Sequence, residues 1–125
     1  MRAASHEIAQ LRQSIRGHGM AADKGVLVGI GDVFLLCEAM QAAAVKQGLP
    51  ADAARELAVQ TFVGAARMLA ESGEAPDVLR ARVTSPGGTT QAAVETLQAG
   101  GFQALLDRAI AAATERGRQL SAAND

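Results

Sequence analysis

Apolar positions in this chain recur at helical spacing almost from end to end, and the interruptions fall on Gly and Pro. Ile8, Leu11 and Ile15 share one face of a segment from Ala4 to Arg16, and Gly17-His18-Gly19 closes it. A second helix is expected from Asp32, a good N-cap residue, to about Lys46, where Gly48 and Pro50 stop it. Asp52 to about Ala70 reads as a third, with Leu57, Thr61, Ala65 and Met68 along one stripe and Gly73 at its end. Pro76 opens a short helix to about Arg82, Thr90 to Gln98 forms another, and Phe102 to about Leu120 follows the Gly100-Gly101 break. Arg116 and Arg118 sit in the last turn, where positive charge suits the helix dipole. The expected class is all-α: a helical bundle.

One of these segments breaks the amphipathic pattern. Val33 to Val45 reads VFLLCEAMQAAAV, with Glu38 its only charge and Gln41 its only other polar group. A helix apolar on nearly all sides must be covered on nearly all sides. About six helices, several of them amphipathic, cover it poorly; dimerisation would bury it, and a central helix in a monomeric bundle is the alternative.

The segment Thr84-Ser85-Pro86-Gly87-Gly88-Thr89-Thr90 is the candidate for chemistry. Pro followed by two Gly ends one helix and turns the chain tightly, and the threonines then open and cap the next. The first N–H groups of a helix lack partners within it, so such a loop suits a carboxylate or phosphate. The same spacing also serves as a plain helix–helix turn.

Composition narrows the class of partner. A formal charge of −1 and a pI near 6.1 give no electrostatic case for nucleic acid. No apolar run approaches membrane-spanning length, and the polar, amphipathic N-terminus lacks the apolar core of a signal peptide. With half the residues apolar (49%) but three Phe as the only aromatics, the core must be built from Ala, Leu, Val and Met. The single Cys37 forms no internal disulfide and fits a reducing cytoplasm.

Other candidate residues carry little chemistry. His6, His18 and Cys37 lack metal-ligand spacing, and Cys37 sits on the apolar helix, where packing explains it. Glu38 is the one ionisable group of that helix; it can pair with Arg67 or face an interface edge. Met20, Met40 and Met68 read as core filler. Lys24 to Gly31 imitates a strand running into G-x-G, but the dinucleotide fingerprint needs a third Gly at position 34, where Phe34 stands. That stretch reads better as a Gly-rich lead-in to the helix expected from Asp32. No residue is assigned a catalytic, cofactor-binding or metal-binding role.

From Val33 to about Leu120 the chain resembles the C-terminal domain of pyrroline-5-carboxylate reductase. The resemblance is carried by VFLLCEAMQAAAVKQGLP, by TSPGGTT and by AGGF, in that order. It implies a helical dimerisation domain, 32–125, preceded by a non-matching segment, 1–31, with one amphipathic helix. It also implies helices interleaved with those of a second subunit in a homodimer or larger assembly. In the family the matching loop holds the substrate carboxylate on backbone N–H groups, which carries over to Gly87, Gly88, Thr89 and Thr90. Thr90 inherits a contact to the ring nitrogen, and Ser85 and Pro86 shape the turn. The ligand implied is pyrroline-5-carboxylate or proline.

The family's NADPH or NADH is bound by an N-terminal dinucleotide-binding domain, for which the 32 residues before the match are too few. The family's S-G-S-G-P-A-Y stretch, close to substrate and nicotinamide, is replaced here by Val26-Leu27-Val28-Gly29-Ile30-Gly31-Asp32. These residues are therefore expected to reduce nothing alone. Two other roles stay open: a structural oligomerisation module with an idle loop, and a subunit that takes its cofactor domain from another chain.

Overall fold

The computed structural model describes residues 2–14 and 20–123, and these are all-α. Six helices follow in chain order: α1 (Arg2–Ser14), α2 (Met20–Lys46), α3 (Ala51–Ser72), α4 (Pro76–Arg82), α5 (Thr89–Ala99) and α6 (Phe102–Ala123). The Gly17-His18-Gly19 break, with Ile15 and His18, lies outside the described residues.

The chain divides into two units. One is Met1–Phe34 with Ala104–Asp125; the other is Leu35–Gln103, which holds the C-terminal part of α2, all of α3 to α5 and the candidate loop.

Helix ends in the second unit follow from backbone chemistry. At the end of α2 the N–H of Leu49 donates to the Ala44 carbonyl and that of Gly48 to the Val45 carbonyl, with Gly48 at φ +106. This is the Schellman arrangement, with Gly in the position where a Cβ is disfavoured and Pro50 shortly beyond. The Pro50 carbonyl then accepts the N–H of Ala54, and α3 begins. Gly73, at φ +67, ends α3. Arg82 of α4 reaches back to Glu74, both guanidinium Nη atoms donating to the two carboxylate oxygens (Nη2 to Oε1 at 2.5 Å), which ties α4 to the turn leaving α3.

Two expectations are corrected. The helix predicted from Asp32 instead starts at Met20, and Asp32 lies inside it rather than capping it. No proline interrupts residues 20–46, and each interior Gly costs a helix only about 1 kcal/mol, so Gly29 and Gly31 do not stop it. Met40 and Met68, expected as core filler, are also exposed instead. Ala54 and Ala58 are buried, whereas Leu57 and Met68 are exposed. Small residues let another backbone approach, and α3 and α4 are the helices of this unit that come close together.

Among the described residues only Ala54, Ala58 and Leu79 are buried hydrophobics. Two methyl groups and one isobutyl group are thus the apolar side chains withdrawn from solvent among the described residues. Large apolar side chains instead lie open along every long helix, including Phe34 (68% exposed) and Leu35 (67%) of α2, and Leu105 (59%) of α6.

Candidate functional site

The loop between α4 and α5 is built from its proline outward. The Gly88 N–H donates to the Ser85 carbonyl at 3.0 Å, closing a four-residue turn over Pro86 and Gly87. Pro86 fixes a negative φ at the first central position, and Gly87 has φ +73 at the second. That combination is a type II turn, which needs Gly at its second central residue. Before it, Thr84 ends α4 by donating its hydroxyl to the Arg80 carbonyl at 2.5 Å and its N–H to the Ala81 carbonyl.

Gly88, not a threonine, occupies the N-cap of α5, in extended geometry and with no side-chain cap. Thr89 and Thr90 are the first two helical residues. The expected capping by threonine is therefore replaced by a cap of Gly, which closes the turn and starts the helix at once. A Cβ on Gly88 would come within 3.1 Å of the Ser85 carbonyl oxygen, which is why a bare backbone suits this place.

The donors divide into two sets. Gly87 gives its N–H to the side-chain oxygen of Gln91 at 2.5 Å, and Gly88 gives its own to Ser85. Among the described residues no acceptor meets the N–H groups of Thr89, Thr90 and Gln91, the first turn of α5. These three point along the helix axis toward the loop, at the positive end of an eleven-residue helix. Thr90, Gly88 and Gln91 are half-buried, while Ser85, Pro86, Gly87 and Thr89 are exposed. The arrangement can hold a small anion on main-chain donors with a hydroxyl beside it. Gln91, the side chain that joins turn to helix, was missed at the sequence level. Its signal was readable: Gln at the third helical position is the capping-box residue that reaches back to N–H groups before the helix.

The remaining candidates do not assemble into a second site. His6 is exposed on α1 and within 3.1 Å of the Gln10 amide nitrogen, one turn on. Cys37 is half-buried on α2. Glu38 is exposed, and the ion pairs among the described residues are Arg82–Glu74 and Arg118–Glu115, so its suggested pairing with Arg67 is not formed. No group of three His, Cys, Asp or Glu converges among the described residues. None of the described helices is long and apolar enough to cross a membrane.

Gly29-Ile30-Gly31 bears on a nucleotide. A dinucleotide cradle needs a strand-to-helix turn with free N–H groups facing the pyrophosphate. Here both glycines are interior to α2, and a Cβ on either would meet nothing within 4 Å. These residues do not fit a dinucleotide.

Comparison with known proteins extends the picture. The family model described as "Pyrroline-5-carboxylate reductase dimerisation" matches residues 26–120. Pyrroline-5-carboxylate reductase from Arabidopsis thaliana is 48% identical over 89 residues, 71% of this chain and 32% of that protein. Pyrroline-5-carboxylate reductase 3 from Danio rerio is 44% identical over 92 residues, 74% of this chain and 32% of that protein. The chain thus spans about a third of the length of the curated relatives it matches. Among solved structures, a pyrroline-5-carboxylate reductase from Coxiella burnetii superposes with a TM-score of 0.75 at 37% identity, covering 82% of this chain and 39% of that one. A Plasmodium falciparum pyrroline carboxylate reductase with NADP bound gives 0.72 at 29% identity, over 77% and 37%. With the family model covering more than half of its residues, this chain belongs to the pyrroline-5-carboxylate reductase dimerisation family.

Proposed function

We propose that these residues form the dimerisation and substrate-positioning part of a pyrroline-5-carboxylate reductase. Two copies cover each other's apolar helices, and the Ser85–Thr90 loop takes the carboxylate of pyrroline-5-carboxylate or proline. Family membership, together with the donor-lined turn at the start of α5, supports this reading. The carboxylate is received by the open N–H groups of Thr89 and Thr90 and the Thr90 hydroxyl stands beside the ring nitrogen. Ser85, Gly87 and Gly88 shape the turn that brings those donors together. The nicotinamide cofactor supplies the hydride when bound, and no residue described here is assigned to holding it. In this reading the chain orients the imine carbon and reduces nothing by itself. The compartment is the reducing cytoplasm, in keeping with one unpaired Cys37.

A second reading is a structural dimerisation module with an idle loop. It is favoured by one observation: two of the loop's N–H groups, those of Gly87 and Gly88, are already satisfied within it. Calorimetric titration with L-proline, beside a Thr90→Ala variant, separates the two. Saturable binding that the variant weakens about tenfold, the worth of one good hydrogen bond, supports the substrate site. Absence of binding by a folded, dimeric chain supports the idle loop.

A further inference from the structure

Among the described residues, the hydrogen bond that fastens the outer corner of the loop to α5 runs from the Gly87 N–H to the Gln91 side-chain oxygen. That corner is exposed, and a Cβ on Gly87 would meet no atom within 4 Å. Two hydrogen bonds therefore hold the turn. One is its own closing bond, from Gly88 to Ser85, and the other is the Gln91 bond. Gln91 is also the third residue of α5, so its own N–H belongs to the open set with those of Thr89 and Thr90.

We propose that Gln91 is a positioning residue of the substrate loop. Its neutral carboxamide takes up the Gly87 N–H and latches the turn shut, so that the donors offered to a carboxylate are those of Thr89, Thr90 and Gln91 rather than those of the two glycines. The proposal rests on the reading of this loop as the carboxylate site. Neutrality is part of it. A carboxylate at position 91 would accept the same N–H and suit a helix N-terminus, but it would place negative charge beside the incoming anion.

The latch and the site are tested by two readouts on the full chain: hydrogen exchange of the Gly87 amide by NMR, and L-proline affinity by calorimetry. In the unchanged chain the Gly87 amide should exchange slowly. Gln91→Leu, which keeps bulk and removes the acceptor, should speed that exchange about tenfold and weaken proline binding by a similar factor. Gln91→Glu should keep Gly87 protected yet weaken binding at least as much, a split that a merely structural role would not produce. Fast exchange of Gly87 in the unchanged chain overturns the latch, whatever the loop binds. Proline binding unaltered in Gln91→Leu or Gln91→Glu overturns the positioning role. A protected Gly87 in a chain that binds no proline overturns the carboxylate reading alone and leaves the latch standing.

Discussion

Truncating Leu35 should separate the two copies that the proposed function requires. Leu35 lies on α2 with 67% of its surface open. Leu→Ala removes three carbons, worth about 0.8 kcal/mol each on full burial, or roughly 2.4 kcal/mol. Only the open two thirds can be buried by a second copy, which leaves about 1.6 kcal/mol. A twofold interface loses that twice, so the dimer should weaken by about 3 kcal/mol, or roughly two decades in dissociation constant. Cavity effects add to this figure.

Sedimentation equilibrium over a dilution series reads the constant directly. Concentration must come from refractive index, because the chain has no Trp or Tyr. Arg55→Ala, at an exposed polar position on α3, serves as the control and should leave the constant unchanged. Because the described part of the chain buries so few side chains itself, its melting temperature should also rise with protein concentration, as in any dimer whose monomer is unstable. A chain that stays monomeric and fully helical at tens of micromolar would refute the reasoning. So would a Leu35→Ala dimer as tight as the original.

Three further outcomes follow from the turns and the ion pair. Gly87→Ala forces a side chain into φ +73 and should cost about 1–2 kcal/mol in thermal or denaturant unfolding, with proline binding weakened alongside. Gly48→Ala, at φ +106 in the cap of α2, should cost a similar amount but leave proline affinity intact, because it is remote in sequence from the loop and shares no hydrogen bond with it. Arg82→Ala should cost at most about 1 kcal/mol, since its pair with Glu74 is open to solvent, and the loss should shrink as salt is added.

Why some of this could be read from the sequence and some could not comes down to which interactions are local. Gly73, Pro76, the Pro86-Gly87 turn and Gly100-Gly101 sit where they were expected, because φ > 0 or a missing N–H constrains the chain within a few residues. The start of α2 was misplaced for the opposite reason. Gly29 and Gly31 carry only a modest penalty inside a helix, and no local rule decides whether neighbouring hydrogen bonds outweigh it.

Buried faces were harder still. Leu57 and Met68 make the more hydrophobic stripe of α3, yet Ala54 and Ala58 are its buried residues. Periodicity finds the apolar side of a helix but does not say whether the chain itself or a second copy covers it. Under the proposed function those two answers diverge, and many large apolar residues are the ones a single copy leaves bare. The loop follows the same logic at smaller scale. Residue type predicted a turn rich in donors, but which donors stay open depends on Gln91 taking the Gly87 N–H and the Ser85 carbonyl taking that of Gly88. Those pairings are a matter of loop and side-chain geometry, and they leave the open donors in the first turn of α5.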